Sequence, residues 1–425
     1  MSSNRSNLIH LFASEPYRLF FPLGILIGTI GAGHWLAYWL GWVDSYSGFF
    51  HASIQMEGYM ACFVIGFLMT AIPRFSGTSS ASLKELATFF LLICAIVFFL
   101  FRYLWIPAEL CFVVWLLSLA RFIFVRVKKI KRADGSSKTS PPIEFVWIPI
   151  AILHGILGSV VLIFYQLKMT PVWMGDVGED MAFQGFILAI VAGVGGFLAP
   201  RLMGRFEMVK PSEVCALEEV ARRKKRSLSV HLTLAVLFFL SFWLDMPGRE
   251  AWAHGLRALV ITAALVWSRA LPLPPRTPDF FVKLLWISLW MVPLGLWLTA
   301  FFPAHEKGML HFTFIGGFSL MTFAIATMVA LSHGGESAIL RRPLLVLRIV
   351  FTGVILTLGF RVAAGFYSTL FFPFLGLAAS VWILVGASWL CFIAPRILRI
   401  PEGDPFERQH EEMKERVIRL NRGEN

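Results

Sequence analysis

Residues 49–59 read FFHASIQMEGY, which places an imidazole, an amide and a carboxyl, His51, Gln55 and Glu57, in one apolar run. Similar chemistry recurs along the chain. His311 begins a second run, and Glu109 and Arg361 are single charges within others. His254 and Arg257 stand three residues apart, which puts them on one helix face. Imidazole is the usual protein ligand of haem iron and also suits copper, and arginine pairs with carboxylates such as haem propionates. Soluble-enzyme motifs are missing: there is no phosphate loop, and GVGGFLAP (193–200) is packing glycine in an apolar segment. The five cysteines contain no CxxC pair. Cys62, Cys94, Cys111 and Cys391 fall in predicted helices and Cys215 in a polar loop, as small packing residues do.

Whether those groups can meet depends on the elements that carry them. The chain has 425 residues, 57% hydrophobic and 15% charged. Soluble domains carry roughly 25% charged residues, so the composition is that of a membrane protein. Apolar stretches long enough to cross a hydrocarbon core of about 30 Å recur throughout, and the short alternating segments of a β-barrel are absent. The expected fold is therefore all-α, with about twelve transmembrane helices at 19–40, 52–73, 86–101, 104–125, 145–165, 181–200, 229–245, 251–270, 281–301, 308–331, 344–367 and 371–394. Residues 1–400 form one transmembrane domain and 401–425 a polar cytoplasmic tail, and no cleavable signal pattern follows the first apolar segment.

Charge orients the helices. With twelve spans, 32 of the 38 lysines and arginines fall on the side of the two termini, which is then cytoplasmic. RVKKIKR (126–132) and ARRKKR (221–226) are topological anchors that also suit anionic lipid headgroups, so the net charge of +12 does not imply nucleic acid. PSEVCALEEVARRKKR (211–226) reads as a short cytoplasmic surface helix. AIPRF (71–75), LAPRL (198–202) and IAPRI (393–397) close three spans that run toward the cytoplasm, with proline expected to end the helix and arginine to meet the interface.

Depth then sorts the histidines. His34, His51, His254, His305 and His311 lie in the outer quarter of the molecule, and His333 lies on the cytoplasmic side. At about 1.5 Å per residue His333 and His311 are too far apart to share a metal. Charges within spans are costly and by default mark a site. Glu57, Glu109, Arg257 and Arg361 all lie in the outer half. His51, Gln55, Gly58 and Cys62 follow one helical stripe, and Gly58, Cys62 and Gly66 would let another helix approach closely.

Two segments carry a family resemblance. HASIQMEGYMACFVIGFLMTAIPRFSG (51–77) and HFTFIGGFSLMTFAIATMVALSHGG (311–335) resemble motifs of the NnrS family, the first on its leading histidine and the GFLMTAIPRFSG stretch, the second on the histidines at both ends. RLFFPLGILIG (18–28) and VPLGLWL (292–298) are shorter matches. The resemblance implies a multi-pass protein of the bacterial cytoplasmic membrane that contains haem and copper and is tied to nitric oxide response and denitrification. Ser53 and Ile54 stand where the family motif has a second histidine and a glutamate, and Trp286 where it has a histidine. Phe197 and Met328 stand where it has arginines.

On this reading the chain is a haem-binding, and secondarily copper-binding, membrane protein acting on or sensing nitric oxide near the periplasmic face. The candidate cofactor residues are His51, His311, His254, His34, Arg257 and Arg361, and the candidate metal ligands His51, His311, His305 and His333. The expected partners are the lipid bilayer and a small ligand such as nitric oxide. A metal-free secondary transporter of twelve helices is the second reading, with Pro149 and Pro293 able to break helices. A terminal-oxidase core ranks third, since no span carries paired histidines at ligand spacing.

Overall fold

The computed structural model describes residues 10–130, 141–205 and 214–399. Within them the chain is helical. We number the helices α1 (Tyr17–Trp39), α2 (Gly48–Ser76), α3 (Leu83–Phe101), α4 (Trp105–Ile130), α5 (Ile143–Gln166) and α6 (Trp173–Leu202). The second half comprises α7 (Val214–Trp243), α8 (Glu250–Trp267), α9 (Phe280–Phe301), α10 (Pro303–His333), α11 (Leu345–Phe366) and α12 (Ser368–Ile397). Their ends follow local chemistry. Ser47 accepts a hydrogen bond from the Phe50 amide at the start of α2, and Ser82 and Glu85 form a capping box at the start of α3.

Eleven of these helices are long and apolar enough to cross a membrane. The exception is α8, where Glu250, His254 and Arg257 lower the hydropathy of an 18-residue helix. It packs between α7 and α9 all the same, with His254 and Arg257 buried. The expected surface helix around 211–226 is not separate either: from Val214 onward it runs unbroken into α7. Its first residues, the loop that follows α4 and the tail 401–425 lie outside the described residues.

The proline expectation needs correction. Pro73, Pro200 and Pro395 lie inside α2, α6 and α12, which continue to Ser76, Leu202 and Ile397. A proline removes only one helical hydrogen bond, and near a C-terminus the helix tolerates that loss. Arg201 and Arg396 fold back to donate to the carbonyls of Phe197 and Phe392, at 2.5 and 2.6 Å, and each lies over that phenylalanine's ring.

Three helices form the centre. The most apolar windows of α2, α6 and α10 are 89%, 78% and 72% buried, against 28–33% for the peripheral α3, α4 and α7. All the π-helical segments among the described residues lie in these central helices, at Ile54–Met60, Asp180–Gly185, Val191–Gly195 and Phe312–Ser319. Such segments interrupt helical register and are frequent at functional sites.

The stripe on α2 faces α1. A Cβ on Gly58 would meet Ile27 at 2.7 Å, and one on Gly66 would meet Phe21 and Phe20 at 3.0–3.1 Å. From the other side, Gly24 of α1 lies against Phe63 and Cys62, and Gly31 against Ile54 and Gln55. Small residues on both partners bring the two backbones together, as the spacing predicts.

Candidate functional site

Close approach of α1 and α2 settles how His51 is held. Its Nδ1 lies 2.9 Å from the Gly31 carbonyl, and Gln55 donates from Nε2 to the Gly28 carbonyl, also at 2.9 Å. A carbonyl can only accept, so Nδ1 of His51 carries the proton and Nε2 keeps its lone pair. His311 is held in the same way on α10: its Nδ1 lies 2.5 Å from the Lys307 carbonyl one turn earlier. Neither Nε2 has a hydrogen-bond partner among the described residues. A π-helical segment begins just after each histidine, at Ile54 on α2 and at Phe312 on α10.

Both imidazoles line one cavity in the outer half of the bundle, bounded by α1, α2, α6, α10, α11 and α12. The space among its lining atoms comes to about 900 Å³ when the part lying in open solvent is counted. Trp35, Tyr59, Phe314 and Trp382 form apolar walls, and Arg361 of α11 adds a cation. Arg361 donates from Nη2 to the Lys307 carbonyl at 3.3 Å, the same oxygen that orients His311, and has no acidic partner among the described residues. A second cavity, apolar but for Thr322, lies deeper and shares Met60 and Phe318 with the first.

The other predicted site residues lie elsewhere. Nε2 of His34 accepts from the Ser47 amide at 2.8 Å, which fixes the turn into α2. Nδ1 of His305 lies 3.1 Å from the Gly365 carbonyl in an exposed setting. His333 is at the cytoplasmic end, with Nδ1 3.1 Å from Glu15 and the Arg74 guanidinium against its ring. Glu15 also bonds Arg18 at 2.6 Å and Arg74 at 2.9 Å, and Arg18 caps α12 by donating to the carbonyls of Arg396, Ile397 and Arg399. Burial alone would raise the Glu15 carboxyl, but the hydrogen bond and charge of His333 and the charge of Arg18 hold it down at about 2.

His254 and Arg257 belong to a separate buried network. Arg257 donates to Asp180 at 2.5 Å, to Asp245 at 2.6 Å and to Gln184 at 2.8 Å, and it lies over the Phe242 ring. Nε2 of His254 is 3.7 Å from Glu306. Asp180, Asp245 and His254 each offer a ligand atom within 4.8 Å of the others, close enough to hold one metal ion. In the structure described, Arg257 supplies the positive charge between the two carboxylates. Burial, followed by the charge of Asp180, pushes the Asp245 carboxyl up to about 7 despite Arg257.

Sequence reasoning passed over Asp180, Gln184 and Asp245, because Asp180 and Asp245 sit at the edges of predicted spans, where acids are ordinary. The available signal was the spacing of Asp180 and Gln184, one helical turn apart and joined at 2.5 Å.

The fold and the cavity define a polytopic helical membrane protein with a histidine-lined, outward-lying chamber. A profile of the NnrS protein family matches residues 11–400, and the chain belongs to that family. No curated relative matches it.

Proposed function

We propose that the outer cavity holds a haem group, with copper as the other metal suited to the same imidazoles, and that the protein acts on or senses nitric oxide near the periplasmic face. The observation that carries this reading is the matched state of His51 and His311. Metal-bound histidines ordinarily donate their second ring N–H to a carbonyl or carboxylate, and both side chains have that arrangement on one cavity.

The donor set fits. Two neutral imidazoles suit haem iron or copper. The aromatic walls suit an apolar ring, and Arg361 is available to a propionate. His51 or His311 would hold the haem, which would supply an iron able to take nitric oxide. The chain's own part is to orient His51 through Gly31 and His311 through Lys307, to pair an anionic edge with Arg361 and to limit access of water. The departures at Ser53, Ile54 and Trp286 leave His51 and His311 as the histidines on this chamber.

Absorption spectra and metal analysis of the purified protein test the proposal. We expect a Soret band that is lost or shifted in His51→Ala or His311→Ala. Metal without a Soret band would assign copper alone, and neither metal nor Soret band would overturn the reading.

A further inference from the structure

Glu57 and Glu109 have no place in the cavity. Glu57 lies in the π-helical segment of α2, whose residues Gln55, Met56, Tyr59 and Met60 line the chamber while Glu57 does not. Its carboxyl instead interacts with that of Glu109 on α4, and Glu109 in turn with Ser159 on α5. These side chains are 0%, 1% and 0% exposed. None of the four carboxyl oxygens, nor the Ser159 hydroxyl, has a hydrogen-bond partner among the described residues, and no salt bridge there includes either acid.

Two carboxylates in contact, buried and without a cation, repel each other and lose their hydration. One proton between them removes one charge and replaces repulsion with a charge-assisted O–H···O⁻ hydrogen bond. The Ser159 hydroxyl lies near Glu109 and is itself without a hydrogen-bond partner among the described residues. It is held there by the neighbouring Gly158, where α5 and α6 touch so closely that a Cβ would lie 2.3 Å from the Ala182 amide nitrogen. Acidic groups continue from the pair toward the outer surface: the half-buried Glu179 of α6 is within electrostatic range of Glu109 and of the cation Lys307, and the exposed Asp176 lies one turn above it. Intramembrane acids in such series are a feature of proton-carrying membrane proteins.

We infer that Glu57, Glu109 and Ser159 form a proton-holding site within the outer half of the bundle, in which the two carboxyl groups share one proton supplied from the outer face. Transfer breaks one O–H bond at Glu57 and forms one at Glu109, and the reverse step restores the first state. The site can take up or release one positive charge close to the chamber without any change in its ligands. It does not depend on what the chamber holds.

Infrared spectroscopy of the full-length protein in lipid, at neutral pH, tests this directly. The expected result is the carbonyl-stretch band of a protonated carboxylic acid that shifts in D2O, is displaced in Glu57→Gln and in Glu109→Gln, and vanishes in the double variant. Ser159→Ala should move the band without removing it. Absence of the band from the unmodified protein would overturn the inference, as would its persistence unchanged in the double variant. Should the double variant not purify as a single species, a band unchanged in both single variants decides against the site. A band that appears only when sodium is removed would also overturn it, because a bound cation would then take the proton's place. Failure of the haem reading would show in the absorption spectrum and leave this band unaffected.

Discussion

Arg257→Met would test whether one buried cation holds α8 against α6. The guanidinium is fully buried, with Asp180 and Asp245 at 2.5 and 2.6 Å. Two unit charges about 4 Å apart attract by about 4 kcal/mol at an effective dielectric of ~20, and desolvation offsets much of that for each pair. Removing one partner of a buried pair costs about 3–5 kcal/mol, and with two carboxylates stranded we expect the upper end of that range. The loss should depend on pH. Asp245, with an ordinary value of 3.8, is already pushed up to about 7, so the folded state binds the extra proton between those values. The stability it contributes is complete below 3.8 and is lost as pH rises through about 7. Without Arg257 that window extends upward, so the deficit of Arg257→Met should be smaller at about pH 6 than at about pH 8. Thermal unfolding of detergent-solubilised protein, followed by intrinsic fluorescence, measures both effects. The triple variant Asp180→Asn, Asp245→Asn, Arg257→Met should recover most of the loss, since it strands no charge. An Arg257→Met protein within about 0.5 kcal/mol of the unmodified one would refute the reasoning. A triple variant less stable than the single would do the same.

Two further predictions concern packing and the cytoplasmic end. Because the Glu15 carboxyl is held at about 2 against an ordinary 4.5, its contribution is fully present above 4.5 and is lost as pH falls toward 2. The full span corresponds to about 3 kcal/mol, and Glu15→Gln should flatten the acid limb of a stability-against-pH curve. Gly158→Ala should destabilise by about 1–3 kcal/mol or more, because the atoms its Cβ would meet are backbone atoms of α6 that cannot rotate away. Gly33→Ala, with nothing within 4 Å of its Cβ, should be near neutral, and equal melting temperatures for the two variants would contradict the close contact of α5 with α6.

Much of the architecture was legible because a membrane reads hydrophobic length and basic charge directly from the chain. Most apolar segments appear as helices close to their expected bounds, α7 starting well before its expected 229, and the His51–Gln55–Gly58–Cys62 stripe does meet a closely packed neighbour. The helix least like a span is α8, whose charges are buried against Asp180 and Asp245 at a distance in sequence that no local pattern reports. The π-helical segments were equally hidden, since their extra residues are accommodated by packing and not announced by residue type.

The candidate site divides along the same line. Outward placement of five histidines follows from span order and charge, both properties of the chain alone. Their grouping does not. His34 and His51 are both close to the α1–α2 turn, yet His34 accepts a backbone amide while His51 donates to Gly31 and turns its free nitrogen to the chamber. Sequence alone determined the spans, their orientation and the family motifs. Only tertiary packing decided that His51, His311 and Arg361 share one chamber while Arg257, His254 and His333 are committed elsewhere.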